Sequence, residues 1–165
     1  MAKKTAYMGM LVALAFVFSY IEFVLPIHVG IPGIKIGLAN LVVLVALYTI
    51  GTGQACMLSL VRIVLVGFTF GNLAGMLYSL GGGMLSLVVM LLGKKTKLFS
   101  ITGVSVLGAV SHNIGQIMVA ILVVETKSLL YYLPVLFISG VFTGILIGIL
   151  GGIMVKRLKK LELFR

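Results

Sequence analysis

The chain has 165 residues, of which 61% are hydrophobic and only 10% are charged, and its mean hydropathy is +1.29. About a quarter of the residues in soluble domains are charged, so this composition excludes a soluble domain and indicates an integral membrane protein. The net charge of +10 does not indicate a nucleic-acid partner, because the basic residues lie at the ends of apolar runs, as membrane orientation requires. We expect residues 1–165 to form a single transmembrane domain.

Few residues are available for metal or acid–base chemistry. The acids are Glu22, Glu125 and Glu162, aspartate is absent, and Cys56 is the single cysteine. Magnesium-dependent phosphoryl or prenyl transfer needs clustered carboxylates, and the chain has no Walker-type Gly-rich loop followed by Lys-Ser/Thr. We therefore expect a protein that is not an enzyme, without a metal site or a cofactor.

Apolar runs predict an all-α protein with six transmembrane helices. The predicted spans cover residues 6–25, 36–50, 55–68, 73–92, 101–124 and 130–155. With six spans, both termini and the loops after the second and fourth spans lie on one side of the membrane. That side carries ten Lys and Arg residues, whereas the other side carries only Lys35 and Lys127. This asymmetry predicts that both termini are cytoplasmic.

The first span is predicted to be an uncleaved helix with a contact face. Its apolar run, which follows Lys3 and Lys4, is too long for the core of a signal peptide. Gly9 and Ala13 form a small-xxx-small pair, which allows another helix to approach closely. Glu22, near the far end, is expected either to be solvated at the membrane interface or to be a buried partner for a cation.

The second and third spans carry three candidate binding residues. Lys35 stands where the second span begins, and either contributes to an anion site at the helix N-terminus or extends its ammonium group to the interface. Asn40 lies about one turn deeper. Arg62 lies inside the third span, where a charged group needs a partner. Either Glu22 neutralises it, or a bound carboxylate or phosphate does.

The fifth span contains the strongest indication of a binding site, in the sequence Ser-His-Asn-Ile-Gly-Gln at 111–116. On a helix, His112, Asn113 and Gln116 share one stripe. A single polar residue in a membrane often only holds neighbouring helices together, but a cluster favours a site for a polar ligand. Asn72, in the loop before the fourth span, lies toward the outside. We expect these residues to converge on a pocket that opens outward.

Two glycine patterns indicate close helix packing. Gly81–Gly83 lie within the fourth span, where we expect close packing rather than a break in the helix. Gly140, Gly144, Gly148 and Gly152 recur at every fourth residue of the sixth span. They predict an unbroken ridge of small residues along one helix face, in contact with a neighbouring helix.

Two segments combine with Arg62 and Gly71 into a recognisable pattern. They are Pro-Gly-Ile-Lys-Ile-Gly-Leu-Ala-Asn at 32–40 and Gly-Ala-Val-Ser-His-Asn-Ile-Gly-Gln at 108–116. Over essentially its whole length the chain resembles the bacterial Gx transporter family, long labelled heptaprenyl diphosphate synthase component I. That family is similar to the substrate-binding S components of energy-coupling factor (ECF) transporters.

The resemblance implies a six-helix, S-component-like bundle in the bacterial cytoplasmic membrane. Such a protein captures a solute from outside and docks on a transmembrane T component, which is driven by two cytosolic ATPases. In S components, small residues of the first helix contact the T component, and they correspond here to Gly9 and Ala13. The synthase label fits the chain poorly, because a metal-binding pair of carboxylates is missing from the sequence.

The main hypothesis is a subunit that binds a small anionic or amphipathic solute, such as a vitamin, a flavin, a quinone or an isoprenoid precursor. Arg62, assisted by Lys35, would pair with the anionic group. His112, Asn113 and Gln116 would bind the polar part by hydrogen bonds, and Phe, Tyr and Met side chains would cover the apolar part.

Two other functions are considered. The first is an accessory membrane subunit of a prenyl diphosphate synthase, or of a quinone- or flavin-linked redox system. The second is an autonomous ion-coupled carrier in which His112 titrates near neutral pH. The small number of intramembrane acids disfavours the carrier.

Overall fold

The computed structural model describes residues 2–25 and 36–160, and the regular elements within these ranges are helical. The six α-helices are α1 (Ala2–Val24), α2 (Leu38–Thr49), α3 (Thr52–Thr69), α4 (Leu73–Thr96), α5 (Ile101–Val124) and α6 (Leu133–Lys160). A short 3-10 helix, Lys127–Tyr132, leads into α6. The prediction of an all-α protein is confirmed, and the predicted spans correspond to these helices with boundaries that differ by a few residues.

Five of the helices, α1 and α3 to α6, are long and apolar enough to cross a membrane. They indicate a multi-pass membrane protein. The helix in the second predicted span, α2, has only 12 residues. At 1.5 Å per residue it is about 18 Å long, shorter than the roughly 30 Å hydrocarbon layer of a bilayer. Six crossings and the cytoplasmic location of the termini therefore stay predictions.

The short helix α2 forms the centre of the bundle. Every residue from Leu41 to Leu47 is buried, as expected for a helix that is apolar on all sides. Helices α1, α3 and α6 pack around it. Its side chains form the core cluster together with residues such as Leu58 of α3 and Val155 of α6.

Both ends of α2 are held by charged side chains from other helices. At the N-terminus, Glu22 Oε1 accepts hydrogen bonds from the backbone N–H groups of Gly37 (2.5 Å) and Leu38 (3.1 Å). At the C-terminus, Lys94 Nζ donates to the carbonyl oxygen of Leu47 (2.6 Å) and lies 5.0 Å from the ring centroid of Tyr48. A negative group at the N-terminus and a positive group at the C-terminus both complement the helix dipole.

Glycines bring α4 and α5 into backbone contact. A Cβ atom on Gly115 would lie 2.6 Å from the carbonyl oxygen of Gly81, and one on Gly82 would lie 2.7 Å from the carbonyl oxygen of His112. Helix α4 continues through the three consecutive glycines without interruption. The prediction of close packing at Gly81–Gly83 is confirmed.

Three of the four glycines in the predicted ridge of α6 pack against α5. A Cβ atom would lie 3.2 Å from Val110 Cα at Gly140, and 2.6 Å from a backbone Cα of α5 at both Gly144 and Gly148. At Gly152 it would meet nothing within 4 Å, so the prediction is wrong there. Each step of four residues turns about 40° beyond a full turn, which places residue 152 about 120° away from residue 140.

Candidate functional site

A polar cavity lies between the helices, and all six of them contribute to its wall. Its volume is about 70 Å³, enough for several water molecules or for one polar group of a larger ligand. The polar residues that line it are Glu22, Asn40, Arg62, Ser79, Ser86, Ser105, His112, Asn113, Gln116 and Thr143. A cluster of this kind inside an apolar bundle marks the cavity as the candidate site.

The cavity brings together six of the eight residues predicted to bind a ligand. The six are Glu22, Asn40, Arg62, His112, Asn113 and Gln116. Asn72 is not among the lining residues. It is exposed and forms the N-cap of α4, where its Oδ1 accepts from the backbone N–H of Gly75 at 2.6 Å. Lys35 lies outside the described residues. The role of these residues in binding stays a prediction.

Arg62 has unused hydrogen-bonding capacity inside the cavity. Its Nη2 donates to Asn40 Oδ1 at 3.4 Å, while its Nε is buried without a hydrogen-bond partner among the described residues. Leaving a buried donor of a charged group unpaired is energetically unfavourable. A ligand that offers an acceptor to this guanidinium would therefore gain more than it would at a satisfied arginine.

Glu22 has a role that neither of its two predicted alternatives describes completely. It is half-buried, and its Oε1 caps the first turn of α2 by accepting from two backbone amides. It also attracts Arg62 electrostatically, because both residues line the same cavity. Its half-buried position beside Arg62 agrees better with the second alternative, but no ion pair joins the two among the described residues, and a direct pairing stays a prediction. The hydrogen bond to α2 could not be inferred, since it joins residues 15 and 16 positions apart in the sequence.

An aromatic cluster fixes the part of α1 that carries Glu22. Phe70, just after α3, lies 5.4 Å from Phe16, 5.5 Å from Tyr20 and 5.1 Å from Phe23, measured between ring centroids. Ring pairs at these distances and at inclined angles are attractive. They hold the end of α1 against the end of α3, so the carboxylate reaches the start of α2.

Helix α5 contributes the stripe of polar residues that the sequence predicts. Asn113 Nδ2 donates to the carbonyl oxygen of Leu136 on α6 at 2.7 Å, so this side chain holds two helices together as well as lining the cavity. Ser111 bonds to carbonyl groups of its own helix and does not line the cavity. His112 and Gln116 pack over Gly82, whose missing side chain gives them room.

Four hydroxyl residues of the cavity wall were not among the predicted binding residues: Ser79, Ser86, Ser105 and Thr143. Ser79 and Ser86 are seven residues apart, as are Ser105 and His112, and residues seven apart lie on the same helix face. This spacing agrees with a shared face, but a lone serine in an apolar helix commonly bonds to its own backbone, so the spacing alone does not identify the three serines as lining residues. Thr143 precedes the ridge glycine Gly144, and the sequence gives no separate signal for it.

The apolar part of the wall differs from the prediction. Among the described residues it consists of aliphatic side chains and Met90, without Phe or Tyr. Several aromatic side chains lie instead on the outside of the bundle, where Phe68, Phe142 and Tyr131 are exposed. The expectation that Phe and Tyr side chains cover the apolar part of the ligand is therefore wrong for the described wall, whereas a Met side chain lines it as expected.

Comparison with known proteins identifies one family. The sequence model of the family described as heptaprenyl diphosphate synthase component I matches residues 11–154. No curated protein and no solved structure matches the chain. The match agrees with the resemblance carried by the segments at 32–40 and 108–116, under the older label of that family. Because it covers most of the 165 residues, the chain belongs to the heptaprenyl diphosphate synthase component I family.

Proposed function

We propose that this protein is the substrate-binding membrane subunit of an ECF-type transporter and is not itself an enzyme. It captures a small anionic or amphipathic solute from outside the cell, and partner subunits drive uptake with ATP. The observation that carries the proposal is the polar cavity inside an apolar helical bundle, with a buried arginine Nε that lacks a partner among the described residues. Packing alone gives no reason to keep such a donor unsatisfied in a membrane.

The proposed binding mode assigns roles to the lining residues. Arg62 donates to the acceptor group of the solute, with assistance from Lys35. His112, Asn113 and Gln116 line the same cavity from α5 and supply further hydrogen bonds. Amide side chains both donate and accept, so they suit a head group with several polar atoms.

The proposed docking surface is the exposed face of α1. Gly9 and Ala13 are both exposed, and a Cβ atom on Gly9 would meet nothing within 4 Å. Small residues on a helix face allow a second helix to approach its backbone. The T component would pack here, and two ATPases would bind the T component on the cytoplasmic side.

The alternative is an accessory membrane subunit of a prenyl diphosphate synthase or of a quinone- or flavin-linked redox system. The family description favours it in its wording. The sequence itself does not favour a synthase, because it has no aspartate and only three glutamates, at positions 22, 125 and 162. An accessory subunit would need only to hold a lipid-like substrate or to anchor a soluble enzyme.

Co-purification distinguishes the two functions. The tagged protein is expressed beside the T component and the ATPases of a bacterium that encodes it, and bound proteins are identified by mass spectrometry. We expect recovery of the T component and ATPases, and loss of both in the Gly9→Leu/Ala13→Leu variant. Gly152→Leu is the matched control, because Gly152 also has open space around it but lies on α6. Recovery of a prenyl synthase or a redox enzyme instead would refute the transport function.

A further inference from the structure

The described residues of the cavity wall carry no net charge before any ligand enters. Of the described lining residues, Glu22 and Arg62 carry opposite formal charges, and the rest, with His112 taken as neutral, carry none. In a low-dielectric interior, an added charge that is not compensated is strongly unfavourable. The net charge of the ligand is therefore the property that this wall discriminates most strongly.

The usual place for an anion at the start of a helix is already taken. The backbone N–H groups of Gly37 and Leu38 at the first turn of α2 donate to Glu22 Oε1. An anionic ligand would have to displace this carboxylate or lie close to it. In either case the negative charge of Glu22 opposes the attraction of Arg62.

The two charged residues also leave complementary hydrogen-bonding positions. Arg62 Nε is a buried donor without a partner among the described residues. Both bonds from α2 reach the same carboxylate oxygen of Glu22, and among the described residues its Oε2 accepts no hydrogen bond. A ligand that accepts from Arg62 and donates to Glu22 satisfies both without adding charge.

We infer that the cavity takes a polar head group of zero net charge that carries both an acceptor and a donor, such as an amide-type or zwitterionic group. It excludes polyanions, including prenyl diphosphates. This inference rests on the proposed function in one respect, namely that the cavity is the site where the solute binds. Within that function it selects amphipathic solutes with a neutral head group over simple anions.

Two probes of similar shape and different charge, together with a polyanion as a third, test the inference. Benzamide is neutral and both donates and accepts, benzoate is a monoanion, and inorganic pyrophosphate is a polyanion. Binding of each is measured by ligand-observed NMR to the purified subunit in nanodiscs of zwitterionic lipid. For the wild type we expect benzamide to bind at least about tenfold more tightly than benzoate. We expect no binding of pyrophosphate.

Two variants each raise the net charge of the wall by one unit. Glu22→Gln keeps a carbonyl oxygen for the α2 amides, and Ser79→Lys adds a cation at a lining position that plays no part in capping α2. In both variants we expect benzoate to bind about tenfold more tightly than in the wild type. Glu125→Gln is the matched control, since Glu125 is an exposed acid at the end of α5 and should leave all three affinities unchanged.

Several outcomes would overturn the inference. They are tight binding of benzoate or pyrophosphate to the wild type, no gain for benzoate in either variant, and no binding of any probe to any variant. If Glu22→Gln fails to fold, as judged by its melting temperature, Ser79→Lys alone decides. The binding test uses the isolated subunit and does not depend on partner proteins. If the three probes bind with the expected order of affinities but the co-purification experiment fails, the transport function is refuted and the head-group selectivity stands.

Discussion

The contact between α5 and α6 predicts that alanine substitutions at two glycines of α6 will have very different effects on the free energy of unfolding. In Gly148→Ala, the new Cβ atom would lie 2.6 Å from Thr102 Cα and 2.9 Å from Ser105 Cβ. Carbon atoms pack best at about 3.5–4.0 Å, so the two helices must separate locally by roughly 1 Å. In Gly152→Ala the new atom meets nothing within 4 Å. Both substitutions change helix propensity alike, so the difference between them isolates the packing effect.

The expected loss in free energy of unfolding is about 1–3 kcal/mol for Gly148→Ala, the usual range for overpacking a rigid contact. For Gly152→Ala we expect a change within about 0.5 kcal/mol. The measurement is reversible unfolding in mixed micelles, followed by far-UV circular dichroism during a titration with dodecyl sulfate. Equal stabilities of the two variants, within about 0.5 kcal/mol, would show that the glycine ridge does not set the distance between these helices.

Three further predictions concern charged residues. Glu22→Ala leaves two amides of α2 without their acceptor and should lower the free energy of unfolding by about 2–3 kcal/mol. Glu22→Gln keeps an acceptor and should lower it by about half as much. Equal losses for the two variants in the same unfolding assay would contradict the capping role. Lys94→Met removes the donor to the carbonyl oxygen of Leu47 and should lower the free energy of unfolding by about 1 kcal/mol. An unchanged free energy of unfolding would mean that water replaces the ammonium group there. Arg62→Lys keeps the positive charge opposite Glu22 but removes the buried Nε donor, which is unsatisfied among the described residues. It should weaken benzamide binding about tenfold or more and shift the melting temperature by only a few degrees. A large drop in melting temperature with unchanged benzamide binding would instead assign Arg62 a structural role.

The number and the approximate bounds of the helices could be predicted because apolar runs and their interruptions are local. The start of α4 at Leu73 and of α5 at Ile101 agree with the predicted spans. The length of α2 was overestimated, since hydropathy cannot distinguish an apolar helix that crosses the membrane from one surrounded by its own protein. Only the positions of α1, α3 and α6 around α2 reveal that it is a central core helix.

The composition of the candidate site was predictable only where polar residues cluster within one helix. His112, Asn113 and Gln116 lie within five consecutive positions and were identified directly. Ser79 and Thr143 reach the same cavity from α4 and α6 through tertiary packing alone. An isolated serine or threonine in an apolar helix commonly bonds to a carbonyl of the preceding turn, as Ser111 does, and this makes each of them uninformative by itself.

The absence of a side chain at Gly82 has a consequence for ligand affinity. The backbone of α5 and the side chains of His112 and Gln116 pack directly on that position. Side chains held against a rigid backbone have few rotamers left to lose when a ligand binds, so less conformational entropy opposes binding. This wall of the cavity is preorganised, and a larger residue at position 82 would weaken binding even where the helix still folds.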